Sequence, residues 1–208
     1  MRRTASVPGI IVLTLLAAAV GQGRKPEVMS DVIVCLHNSV VAGPGVVERA
    51  KQIARTMFAT VGINILWPGS GPEPQQASLS VDVLLTSAEP GDDDTGPLAE
   101  AYPFAGSTGH ITVKYDRVRT SAGPARDLEP VLLAHVLVHE ITHILQCLDR
   151  HAETGIMKSH WNSEDYYEMR WKPLTFTQED IELLRLGMQV LQSRAGNLVD
   201  PGRVAKAR

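Results

Sequence analysis

The chain predicts an α+β fold of α/β-like character: a mixed, mostly parallel, twisted sheet with helices packed against it. Two patterns lead there. Short β-branched runs bounded by Gly and Pro alternate with a long stretch of helical spacing. A second helical stretch, Pro130 to Leu148, is apolar almost all round, as in a helix buried on every side.

The elements follow in order. Asp31 to Asn38 (DVIVCLHN) reads as the first strand. Gly43-Pro44 opens a helix, with Pro44 in its first turn, where its missing N–H costs nothing. Val46, Ala50, Ile53, Met57 and Val61 recur at helical spacing, and Gly62 suits the C-cap. Ile63 to Trp67 and Leu79 to Thr86 read as the second and third strands, separated by a Gly/Pro-rich loop. Glu100 to Phe104 and His110 to Tyr115 read as two further short strands. The buried helix follows Gly123-Pro124. The stretch after His151 reads as irregular as far as Pro173. Thr177 and Asp180 then form a capping-box-like start to the last helix, marked by Ile181, Leu184, Met188 and Leu191.

With 208 residues, 44% of them hydrophobic, the chain can bury one proper core but hardly two. Residues 24–193 are expected to form that single domain, and 194–208 a flexible tail. A net charge of -3 lacks the basic footprint of a nucleic-acid binder. Residues 1–23 read as a signal peptide: Arg2 and Arg3, an apolar Ile10 to Val20, then small residues for cleavage. Export to the periplasm or the medium is expected, with no stable membrane insertion after cleavage. The apolar run is short for a span, and an uncleaved anchor is the alternative. Cys35 and Cys147 are the two cysteines. They suit small buried hydrophobes better than a disulfide. Asp92-Asp93-Asp94 reads as a solvated acidic loop before it reads as a calcium site.

The chemistry concentrates in His139-Glu140-Ile141-Thr142-His143. Histidines four apart share one helix face, one turn apart, and can grip one metal ion together. Glu140 is rotated by about 100° from His139. It would lie beside the ion, as a general base for an activated water does. Buried His and Glu need partners, and a zinc ion would supply one. The bland reading is a chance match on a core helix.

A catalytic zinc has three protein ligands and one open position. His135 is poorly placed to be the third, because eight residues of helix rise about 12 Å. It reads as a surface or supporting histidine. The third ligand must come from beyond the helix, where His151 and Asp149 both lie. Imidazole is the commoner ligand and His151 leaves more room for a turn. Asp149 stays open as the alternative.

Together with Gly155-Ile156-Met157, these residues resemble the metzincin zinc peptidases, over about 25 residues from His139 to Trp161. The resemblance implies a metzincin-like fold in which a methionine turn, here Met157, passes beneath the metal. It implies Glu140 as the base and a peptide or protein as substrate. It makes the strand at His110 to Tyr115 the edge that pairs with substrate, with His160 and Trp161 near a side-chain pocket. Two departures stand out. His151 follows His139 by twelve residues, where the family spacing is ten, the position of Asp149. The family's turning glycine is Gln146 here.

Two functions are therefore expected in competition. One is a zinc-dependent peptidase with Glu140 as general base. The other is a non-catalytic exported zinc-binding protein that keeps the same fold.

Overall fold

The computed structural model describes residues 30–69, 79–89, 91, 96–103 and 109–199. The signal-peptide reading and Asp92-Asp93-Asp94 lie outside them. Among these residues five strands and five helices follow in the order β1 (Ser30–Asn38), α1 (Pro44–Ala59), β2 (Ile63–Leu66), β3 (Leu79–Thr86), β4 (Ala99–Tyr102), β5 (Gly109–Lys114), α2 (Tyr115–Ala122), α3 (Leu128–Gln146), α4 (Ser163–Trp171) and α5 (Gln178–Val199).

The strands form one sheet in the order β2-β1-β3-β5-β4. The first four run parallel, and β4 closes the sheet antiparallel to β5. The fold is therefore α+β with a mixed, mostly parallel sheet. One expectation is corrected here. The strand at His110 to Tyr115 is not an edge, because β5 is paired on both sides, by β3 and by β4. The edge is β4. Four residues of modest β-propensity gave little sign of this, since strand order is set by pairing across the sheet and not by local pattern.

Side chains alternate across the sheet. Val32, Val34, Val81, Val83, Leu85, Ile111 and Val113 are buried against the helices. Cys35, His37, Asp82 and His110 alternate with them and point to the other face. Helix α3 is the hub, touching α1, α2, α4, α5, β4 and β5. Its residues from Pro130 to Gln146 are all buried. By length and apolarity it could cross a membrane, yet 94% of its apolar window is covered by the protein itself. Leu132, Leu133, Leu137, Ile141 and Leu145 are among its fully buried side chains, each contributing about 1.5–3 kcal/mol by leaving water. Helix α5 crosses α3 at Gly187, where a Cβ would lie 2.1 Å from the Leu145 carbonyl oxygen. Only glycine allows that approach.

Two helices escape the sequence pattern. Helix α2 buries only Tyr115, Val118 and Ala122, and α4 only Met169, too few for a readable stripe. Helix α4 did carry one signal. Asn162 accepts hydrogen bonds from the Glu164 and Asp165 amides, and Asp165 accepts from the Asn162 amide, a capping box. Thr177 and Asp180 form the same arrangement at α5. The residues expected to begin a tail continue α5 as far as Val199. Cys35 and Cys147 are both free thiols.

Candidate metal centre

Helix α3 delivers His139, Glu140 and His143, and the chain beyond it must turn back to complete the site. Cys147 makes that turn. It adopts the left-handed conformation, φ 54°, usually taken by glycine at a helix C-terminus. The turn that Gln146 lacks a glycine to make is thus made one residue later. Leu148 returns against His143, its N–H donating to the His143 carbonyl at 3.3 Å. Arg150 then ties the loop to α5, donating to Asp180 at 3.2 Å and also to Glu179.

This loop brings His151 over the helix. Its ring centroid lies 5.3 Å from that of His139 and 5.0 Å from that of His143. His139, His143 and His151 each offer a ring nitrogen, all within 4.8 Å of one another. The first two are buried and His151 is exposed. Asp149 lines the same cleft but lies outside that group.

A second turn fixes the rings. Gly155 has φ 75°, and a Cβ there would meet the Thr175 carbonyl oxygen at 2.4 Å. Ile156 donates its N–H to that carbonyl at 3.0 Å. Ala152 donates to the Met157 carbonyl at 2.7 Å, closing the turn. Ile156 and Met157 are fully buried. The Ile156 carbonyl accepts from His139 Nδ1 at 2.9 Å, and the Leu148 carbonyl accepts from His143 Nδ1 at 3.0 Å. A carbonyl can only accept, so both Nδ1 atoms carry the proton.

Consequently both Nε2 atoms present lone pairs, and they face each other at 3.1 Å. Two acceptors so close repel unless a cation or proton lies between them. Burial pushes the His139 pKa down to about 4 and lowers that of His143, so a proton is disfavoured near neutral pH. Tetrahedral ligands about 2.05 Å from one zinc would stand roughly 3.3 Å apart. The donor set, its tautomers and its spacing fit a metal ion.

Glu140 adds a second sign of an expected cation. Burial, then the charges of Glu100 and Asp149, push its pKa up to about 8. A cation nearby would reverse that shift by favouring the charged form.

His135 is excluded as a ligand, though it is no surface residue. It is fully buried. Its Nδ1 donates to the Val131 carbonyl at 2.7 Å, and its Nε2 accepts from the Leu174 amide at 3.1 Å. Both nitrogens are used. Trp161 stands edge-on to His139 and His135, at centroid distances of 5.5 and 6.2 Å.

A cleft of about 1070 Å³ opens over these groups. His139, Glu140, His143 and His151 line it, together with β4 and with Ser159, His160, Trp161 and Tyr166. Sequence reasoning missed Glu100 and Tyr166, because neither belongs to a motif. A comparison with known protein families finds no matching family model, and a comparison with curated proteins finds no match.

Proposed function

We propose that the chain is an exported, zinc-dependent, metzincin-like peptidase. The observation that carries this reading is the approach of the His139 and His143 Nε2 lone pairs at 3.1 Å, next to a buried Glu140 that a bound cation would return to its charged, base form. His139, His143 and His151 would hold the ion, leaving Asp149 beside it as a charge on the cleft wall.

A zinc ion held by His139, His143 and His151 would supply Lewis acidity toward a peptide carbonyl and a water molecule. Glu140 then takes the proton of the attacking water and hands it to the leaving amine. The Ile156 and Leu148 carbonyls keep both imidazoles in the ligand tautomer throughout. Among the described residues, strand β4 bonds to the sheet only through β5, and it lines the cleft. Its free edge can pair with an extended peptide, which suits a peptide or protein substrate. His160 and Trp161, next to the catalytic groups, would contact a substrate side chain.

The test is cleavage of unfolded protein by the zinc-loaded chain, compared with Glu140→Gln. Gln keeps the shape and cannot take a proton, so kcat should fall by about 10²–10⁴ while zinc content is unchanged. A variant that cleaves at the wild-type rate removes Glu140 as base. A zinc-bound wild type that cleaves nothing in a broad peptide panel selects the non-catalytic zinc-binding reading instead.

A further inference from the structure

Helix α3 carries one histidine more than the candidate centre uses, and that histidine is tied back to the centre. His135 stands one turn before His139, fully buried among apolar neighbours on the helix. Its Nδ1 donates to the Val131 carbonyl at 2.7 Å, which leaves the lone pair on Nε2. That lone pair accepts from the Leu174 amide at 3.1 Å. Leu174 belongs to the segment 172–177 that joins α4 to α5, and its neighbour continues the path. The Thr175 carbonyl accepts from the Ile156 amide at 3.0 Å, and the Ile156 carbonyl accepts from His139 Nδ1 at 2.9 Å. His135 and His139 are thus the two ends of one hydrogen-bonded path, closed by the helix turn between them.

We propose that His135 is a positioning residue for the proposed zinc centre: through Leu174, Thr175 and Ile156 it holds the His139 ring in the tautomer that offers Nε2 to an ion.

Three observations carry this. The path has little slack, because a Cβ on Gly155 would lie 2.4 Å from the Thr175 carbonyl oxygen. The turn that binds His139 therefore rests directly on the segment that His135 holds. The path is also dry at its ends, since Leu174, Ile156 and both imidazoles are buried, and a donor that loses its partner there finds no water to replace it. Finally, Trp161 stands edge-on to His135 and His139 at centroid distances of 6.2 and 5.5 Å, so the two rings share one packing partner. An apolar side chain would suit this core position equally well, but only an acceptor can hold Leu174. His143 lies outside the path, because its Nδ1 donates to the Leu148 carbonyl instead.

The inference rests on the zinc reading of His139, and one arm of its test needs no metal. Ring-nitrogen chemical shifts of the metal-free full chain report the tautomer of each histidine. In His135→Phe, which fills the space but accepts nothing, His139 should exchange between its two tautomers while His143 keeps its Nδ1 proton. Competitive titration should find zinc bound about 10–100-fold more weakly. His135→Gln, whose amide oxygen reaches the place of Nε2, should restore most of both. If His135→Phe does not fold, His135→Asn replaces it, since its shorter amide stops at the place of Nδ1 and misses Leu174. A His139 tautomer and a zinc affinity that survive loss of the acceptor would overturn the role. So would His139 and His143 changing together, the sign of a general loosening, or a Gln variant no better than Phe or Asn. A wild type that binds no zinc would sink the zinc reading alone, and the His139 ring signals would still decide whether His135 holds that ring.

Discussion

Arg150 Nη1 donates to Asp180 Oδ1 at 3.2 Å, and Asp180 is fully buried one residue-contact away from the loop that carries His151. The same carboxylate accepts from the Thr177 amide and hydroxyl at 2.8 and 2.7 Å. The Asp180 backbone carbonyl also accepts from Gln146 at 3.2 Å. The end of α3, the His151 loop and the start of α5 therefore meet at one residue. Arg150→Ala would leave a buried carboxylate without its cation, at a cost of about 3–5 kcal/mol. Zinc affinity should fall by roughly 10–100-fold, as when a ligand loses its support. Arg150→Lys should recover part of both. Urea denaturation and competitive zinc titration measure the two effects. Unchanged zinc affinity would show that the loop holds its shape without the pair.

His151→Ala should weaken zinc binding far more than Asp149→Ala. The imidazole belongs to the group within 4.8 Å, whereas Asp149 acts on the site by charge, raising the Glu140 pKa. Zinc titration of both variants decides it, and the reverse ranking would hand the third position to Asp149.

Without metal, Glu140 should be a burden to the fold at neutral pH. Its pKa rises from 4.5 to about 8 on folding. Between those values the folded chain keeps a proton that the unfolded chain has lost. Stability from this group is therefore present below pH 4.5 and is lost as pH rises toward 8. At pH 7 the loss is on the order of 3 kcal/mol. In chelator, Glu140→Gln should be more stable than wild type by that order at pH 7, with little difference at pH 4.5. Zinc should shrink the gap. Parallel stability curves for the two proteins in chelator would refute a buried, protonated Glu140.

His135 gives the opposite slope. Burial lowers its pKa from 6.5 to about 4, so between those values the unfolded chain binds the extra proton. Its contribution is complete above pH 6.5 and is lost as pH falls toward 4. The loss from pH 7 to pH 5 is about 2 kcal/mol. His135→Gln, which cannot titrate, should lessen the fall of the denaturation midpoint over that interval, leaving the part that His139 and His143 contribute with the same sign. An equally steep fall in the variant would assign the acid sensitivity to other groups.

The sequence by itself determined the elements whose residues carry a local signal. The alternating runs of β1 and β3, the Pro44 start of α1, the all-apolar α3 and the Thr177–Asp180 cap of α5 each follow from a neighbour-scale rule. The histidine face that could hold a metal ion was equally legible, because His139 and His143 sit on one rigid helix whose pitch fixes their spacing. Helices α2 and α4 were not, since each is short and buries few side chains. Only the tertiary structure decided the rest. It put β4 at the sheet edge, where pairing with β5 and not composition sets the order. It brought His151 to the other two imidazoles by way of Cys147 at φ 54° and the Arg150–Asp180 pair. It fixed the tautomers of His139 and His143 through the carbonyls of Ile156 and Leu148. These relations join residues that are distant in the chain or set a backbone angle that residue type alone does not dictate. Their strength comes from packing and burial, which no local window of sequence contains.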